Sequence, residues 1–464
     1  HPLQKLTTKD GQQLELFLSS PFFNTSKTIL SLFQQLQNNL KKGQLPNKLD
    51  LFHKVFGQSA AFNDHKIRLL FSDLLKLVEQ FISISAFQKK RAQQQLDVAQ
   101  FYRKNELEKH FNRIQRKGNK SLATQPYRNY EYYAAKSRFN WEVYELQSSK
   151  KRDMAIDLQE FGQDLDLAYF SQKLRQACFL RAQQALYNVE YDFEWVQQIL
   201  EYIDSKQWWN VPAISLYYTA YQLASQPKKS SYFEDLKEKI LLEGHYFPPE
   251  EIQDIYLLAI NYCIKKVNNG QREYAIESLK LYKKGLEIGC FLENGFLSKF
   301  SYANIVAFGL MAKDFEWTET FINEYKNKLD KNARNSAYFF NLARLVYVQN
   351  RDHEAALQYL QKVSDKDLIN TMNAKILQLR IYWEIRAFSL LESHLEAMAN
   401  FIRRKALVGY HKENYLNIIN ATKRLLKVNF YNKNEVEKLK KTITEKSILS
   451  EKQWLLAQLA KLEG

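Results

Sequence analysis

Eight histidines, three cysteines and two close pairs of carboxylates are the residues of this chain best equipped for chemistry, and their spacing argues against it. His1, His53, His65, His110, His245, His353, His394 and His411 form no HExxH pair, and none stands within two to four residues of another. The i, i+4 grip by which one helix face holds zinc is therefore missing. Asp164 and Asp166 are two apart, and Glu250 and Glu251 are adjacent. Such neighbours point in different directions on a helix, whereas glycosidase-like acid and base work needs two carboxylates facing one pocket. They read as capping or surface residues. Cys178, Cys263 and Cys290 lie far apart among apolar residues, which gives neither a disulfide framework nor a metal spacing. They are expected to be small buried side chains. No glycine cluster precedes a lysine and a serine or threonine, and no GxSxG elbow occurs. The chain is expected not to be an enzyme and to use no cofactor and no metal.

Function then has to come from a surface, and composition says what kind of scaffold carries it. The 464 residues exceed the length at which one compact core keeps growing, unless each unit packs only on its neighbours. Only 13 glycines and 8 prolines interrupt the chain, while 28 tyrosines, 30 phenylalanines and 7 tryptophans supply apolar faces throughout. This is the composition of an ordered, mainly helical protein. No apolar run approaches the roughly 18 residues of a membrane span, so no membrane insertion and a cytoplasmic location are expected. A start at His1 rather than Met leaves room for a removed targeting segment.

The net charge of +16 is unevenly spread. Ten Lys or Arg face three Asp or Glu between Lys89 and Lys120, and twelve face four between Arg403 and Lys446. From Lys151 to Lys206 the balance reverses, with ten acids against six bases. Two basic ends flanking an acidic stretch suit a polyanion partner or simple solubility.

Helical periodicity runs along the whole chain. Leu14, Phe17 and Leu18 share one face before Pro21 ends their helix; Asn24 or Ser26 caps the next, which carries Ile29, Leu32, Phe33 and Leu36. Leu51, Phe52, Val55 and Phe56 form a third stripe. Asn63 or Asp64 opens a longer helix with Ile67, Leu70, Phe71, Leu74, Leu75, Val78 and Phe81 inward. Residues 88–116 read as one charged helix and 118–126 as a loop. The domains expected are 1–120, a helical N-terminal domain; 126–430, helical repeats; and 431–464, capping helices.

The repeat signal is strongest from Ser336 to Val363, two short amphipathic helices whose small residues Ala343 and Ala355 are twelve positions apart. Asp192, Phe193, Glu194 and Trp195 return 122 residues later as Asp314, Phe315, Glu316 and Trp317, each time opening a helix. Second-helix anchors fall at Val196, Ala275, Thr318, Ala355 and Leu391, the last four separated by 43, 37 and 36 residues. Cys263, Val306 and Ala343 stand twelve before three of them, where a slim side chain lets paired helices approach. Spacings near 34 residues belong to stacked helix pairs.

Phe339, Leu342, Ala343, Val346, Ala355 and Tyr359 resemble, in order, the large, small and aromatic positions of the tetratricopeptide superfamily, with Asn350 where a glycine is customary. The resemblance covers roughly Glu190 to Arg404. It implies an all-α fold, an irregular right-handed α-α superhelix of tetratricopeptide-like hairpins following an N-terminal helical domain. The N-terminal text, with the turns Pro21-Phe22-Phe23-Asn24 and Phe62-Asn63-Asp64, resembles uncharacterised helical proteins of the Bacteroidota, which implies architecture and no activity.

Stacked pairs leave an inner wall of first helices able to hold a partner. The wall residues expected to bind a protein or peptide are Tyr217, Tyr221, Tyr256, Asn261, Tyr302, Asn304, Tyr338, Asn341, Arg344 and Tyr382, rings for contact area and amides to bracket a backbone. The alternative partner is nucleic acid, held at Lys89, Lys90, Arg91, Arg103, Lys104, Arg113, Arg116 and Lys117, with Tyr102, Tyr127 and Tyr130 for stacking.

Overall fold

Apolar residues three and four apart bury one stripe of nearly every helix in the computed structural model of the chain. It describes residues 2–41, 43, 46–150, 159–187, 189–363, 368–405 and 409–463. The start of the acidic stretch, residues 151–158, lies outside the described residues. Among those described are 22 α-helices, forming two compact units, His1–Gln172 and Lys173–Gly464.

In the first unit α1 (Thr8–Ser19), α2 (Lys27–Lys41), α3 (Lys48–Phe56) and α4 (Asp64–Lys89) enclose one core. Leu14, Leu18, Leu32, Phe33, Leu51, Phe52, Ile67, Leu74 and Val78 fill it, the residues the periodicity points inward. Asn63 Oδ1 accepts the Lys66 N–H at 2.9 Å and Ser26 Oγ the Ile29 N–H at 3.4 Å, so both expected caps are made.

The single helix expected over 88–116 is instead two, α5 (Arg91–Lys104) and α6 (Glu108–Thr124), which fold back and pack side by side. The turn is made at Glu106, whose φ of 57° is left-handed. A straight rod cannot bring Leu96 and Leu122 into one cluster with Phe139 of α7 (Tyr130–Lys150); the reversal does. The loop expected over 118–126 is also helical as far as Thr124. Its glycine has a packing reason, because the Phe139 ring lies where a Cβ on Gly118 would stand. The division between the units falls inside α8 (Gln159–Tyr187).

The second unit continues with α9 (Glu194–Lys206), α10 (Pro212–Ser225), α11 (Ser231–Glu243), α12 (Pro249–Asn268) and α13 (Tyr274–Glu287). Pro249 occupies the first turn of α12, where its missing N–H costs nothing. Then come α14 (Lys299–Met311), α15 (Phe315–Tyr325), α16 (Lys331–Gln349), α17 (His353–Leu360), α18 (Leu368–Glu384), α19 (Phe388–Arg404), α20 (Gly409–Lys427), α21 (Lys433–Glu445) and α22 (Lys452–Glu463). From α10 to α22 each helix packs on the next. Alternate helices also touch, α10 on α12, α14 on α16 and α16 on α18, so the first members of neighbouring pairs lie side by side.

Cys263, Val306 and Ala343 are fully buried, as are the anchors Thr318 and Leu391. In α17 the buried pair is Ala356 and Leu360, one residue later than Ala355 and Tyr359; Asp352 caps this helix by accepting the Ala355 N–H at 2.9 Å. One local element departs from the all-α expectation. Strands β1 (Leu292–Glu293) and β2 (Phe296–Leu297) pair antiparallel around Asn294 and Gly295, whose φ values of 51° and 81° suit this dipeptide in a two-residue hairpin turn.

Candidate functional site

Three successive first helices, α14, α16 and α18, together line a cleft of about 680 Å³. Ala303 and Ala307 keep the α14 side low, and Phe340, Ile376 and Leu377 give it an apolar floor. Asn304, Arg344, Asn373 and Arg380 supply polar groups, Arg272 enters from the α12–α13 turn, and Glu451 reaches in from just before α22.

Arg344 is the centre of this site. One of its guanidinium nitrogens donates to the Ala303 carbonyl at 3.1 Å and to Asn341 Oδ1 at 3.0 Å. Among the described residues no carboxylate lies within ion-pair distance of it. Burial, with Arg380 nearby, pushes its pKa down to about 10. Arg380 stands 3.6 Å from Glu451 and lies over the rings of Tyr347 at 5.3 Å and Trp454 at 5.8 Å, with its Nε buried and unpartnered. Arg351 covers Tyr347 too, 5.4 Å from the ring, and meets Glu384 at 3.4 Å. Burial alone would raise the Glu384 pKa, but hydrogen bonds from Tyr347 Oη at 2.5 Å and His353 Nε2 at 3.0 Å hold it below the usual carboxylate range. Two acids therefore answer four guanidinium groups.

Of the ten wall residues expected, the structure brings Asn304 and Arg344 to the cleft and sets Asn341 beneath Arg344. Most of the tyrosines are packing residues instead. Tyr217 is fully buried and donates to Glu251 Oε1 at 3.0 Å; Tyr221 accepts from Arg181; Tyr302 donates to the Ile322 carbonyl at 2.8 Å. Tyr256 packs edge-on against Phe291. Tyr338 bonds Asn323 at 2.9 Å under Lys326, Tyr382 meets His394, and Asn261 is exposed on α12 away from the cleft lining. Long aromatic rings at helical spacing are the cheapest way to fill the gaps between pairs, and their hydroxyls find partners at the edge. Of the lining residues missed, Asn373 and Arg380 lie on α18. The 36-residue step from Ala355 to Leu391, applied to Arg344, lands on Arg380.

The polyanion candidates are not gathered in one cleft. Lys89, Lys90 and Arg91 line a cleft of about 590 Å³ with Tyr130 and Arg138. Arg103 is withdrawn from solvent into an ion pair with Glu142 at 2.6 Å and Glu145 at 3.4 Å. Lys104, Arg113, Arg116 and Lys117 are exposed and line no part of that cleft, while Tyr102 packs against His110 and Tyr127 is half-buried.

Two carboxylates expected at caps or the surface are buried ion-pair and hydrogen-bond partners instead. Asp164 of α8 receives Lys136 and Asn140 of α7, both at 3.2 Å, and Glu251 receives the Tyr217 hydroxyl. Among the described residues no group of histidine, cysteine and carboxylate side chains could hold a metal ion, and no helix is long and apolar enough to cross a membrane. Against family models, curated proteins and solved structures the chain finds no match.

Proposed function

We propose that this chain is a non-catalytic scaffold that holds an extended, acidic segment of a protein partner in the cleft lined by α14, α16 and α18. On this reading its helix pairs are tetratricopeptide-like hairpins coiling into a right-handed superhelix. The spacing of 36 and 37 residues between anchors and the side-by-side packing of first helices support it. The observation that carries the reading is Arg344, a cation that lines the cleft beside Arg380 and whose own hydrogen bonds go to neutral acceptors. A guanidinium fork matches a carboxylate bidentately, and in so enclosed a place that pairing is stronger than at a free surface. The amides of Asn304 and Asn373 suit the backbone of such a segment.

The test is affinity purification from the cell that makes the protein, with the intact chain and with Arg344→Glu plus Arg380→Glu. One stoichiometric protein is expected with the first and not with the second. Retention of the same partner by the variant, or no partner with either, would refute the reading.

A further inference from the structure

The cleft above does not use the basic C-terminal stretch, and that stretch is not evenly spread over its helices. On α20 the residues Asn420, Lys423, Arg424 and Lys427 fall at i, i+3, i+4 and i+7; on α21 Glu435, Lys438, Leu439 and Thr442 repeat the same interval. Each set makes one helical stripe, and the two stripes face across a groove of about 760 Å³. A second hollow shares Asn420, Arg424, Leu439 and Thr442 and carries the groove on to Lys446. Among the described residues none of Lys423, Arg424, Lys427 and Lys438 has a carboxylate within ion-pair distance, whereas Lys440 and Lys441, off the groove on the same helix, pair with Glu437 and Glu445.

The one acid in the lining, Glu435, serves the loop: it accepts from the Asn429 N–H at 3.3 Å and from the Asn432 amide at 3.0 Å. Asn429 in turn accepts the Tyr431 N–H at 3.1 Å. The loop is thus braced from within, yet the Tyr431 side chain it carries is 99% exposed, beside the end of the groove formed by Lys427 and Val428.

We propose that the groove between α20 and α21 binds the sugar-phosphate backbone of a single-stranded nucleic acid, with Tyr431 stacking on an unpaired base. Four cations without a carboxylate partner among the described residues, three of them within about one turn of α20 and the fourth across the groove on α21, match a chain of phosphates, and an exposed ring on the loop joining the two helices matches a base. A hollow between two helices packed side by side is narrow, so a single strand reaches its floor while a duplex touches only its rims. A flat anionic bilayer could touch the rims but not Leu439 and Val428 below.

The probe is a fluorescein-labelled 12-nucleotide oligouridylate, followed by anisotropy with the full chain. If about four phosphates are neutralised, affinity falls about 50-fold between 50 and 200 mM salt. Lys423→Glu plus Arg424→Glu should weaken binding at least tenfold, with Lys423→Gln plus Arg424→Gln as a milder pair moving the same way. Tyr431→Ala should weaken it about fivefold or more. Lys440→Glu plus Lys441→Glu, the same change in net charge on the paired face, should leave affinity within twofold. No binding at 50 mM salt, an equal loss in that control, or capture by phosphatidylserine vesicles that the oligonucleotide cannot compete away would each overturn the proposal.

Discussion

Among the described residues Arg344 has hydrogen-bond acceptors and no counter-ion, so its stability and binding roles can be measured separately. An apolar chain of similar length relieves the cost of enclosing a charge but leaves the buried Asn341 Oδ1 without its donor. Arg344→Met is expected to change unfolding free energy by no more than about 3 kcal/mol, while acidic-peptide affinity falls at least tenfold; titration of a labelled Glu-rich peptide alongside a denaturant melt checks both. His394 gives a pH-dependent counterpart. Its Nε2–H donates to the Lys375 carbonyl at 2.8 Å beneath the edge of Tyr382, and burial holds its pKa below the ordinary 6.5. The unfolded chain therefore takes up the proton first as pH falls below 6.5, so His394 contributes a loss of stability on the acid side that is absent above 6.5. His394→Gln should flatten that part of the profile in thermal melts between pH 7.5 and 5. At this scale the sequence showed Arg344 and Asn304, because polar residues on first helices stand out against an apolar background. It hid the fate of Tyr217 and Tyr302, because a phenol looks the same whether its ring faces a partner or a neighbouring helix.

Pairs of helices are set by where their backbones can approach. Thr318 of α15 is an anchor of the repeat pattern, and its side chain lies against Gly309 of α14. A Cβ there would fall inside the radius of Thr318 Oγ1 and 3.2 Å from its Cβ and Cγ2; the hydroxyl is also fixed, donating to the Asp314 carbonyl at 2.6 Å. Gly309→Ala should cost about 1–3 kcal/mol by forcing the two helices apart, and adding Thr318→Ala should recover most of it, measured as denaturant midpoints of the single and double variants. The twelve-residue rule points to Val306, which is buried as expected, and the glycine whose missing side chain makes room for Thr318 lies one turn further on. Stripes of Leu14, Leu32, Leu51 and Leu74 were legible because one face of each helix is apolar and the other polar. The reversal at Glu106 was not, since no glycine or proline marks it and a left-handed glutamate leaves no trace in composition.

At the scale of the whole chain, neighbour-on-neighbour packing limits cooperativity. The first unit has its core around Leu14 and Leu74, and the second a separate cluster around Leu391, Tyr415 and Leu455. Trp141 lies in the first unit, while Trp195, Trp208, Trp209, Trp317, Trp383 and Trp454 lie in the second. Guanidinium unfolding followed by tryptophan emission and by far-UV circular dichroism is expected to give transitions that do not coincide; superimposable curves would mean that the two units melt as one. Cys178, Cys263 and Cys290 are buried and unbridged, and burial raises the pKa of each thiol. Their concealment leaves the native exterior chemically silent toward maleimides, so a cysteine substituted for the exposed Tyr431 becomes the one addressable position for a dye or spin label in the folded chain.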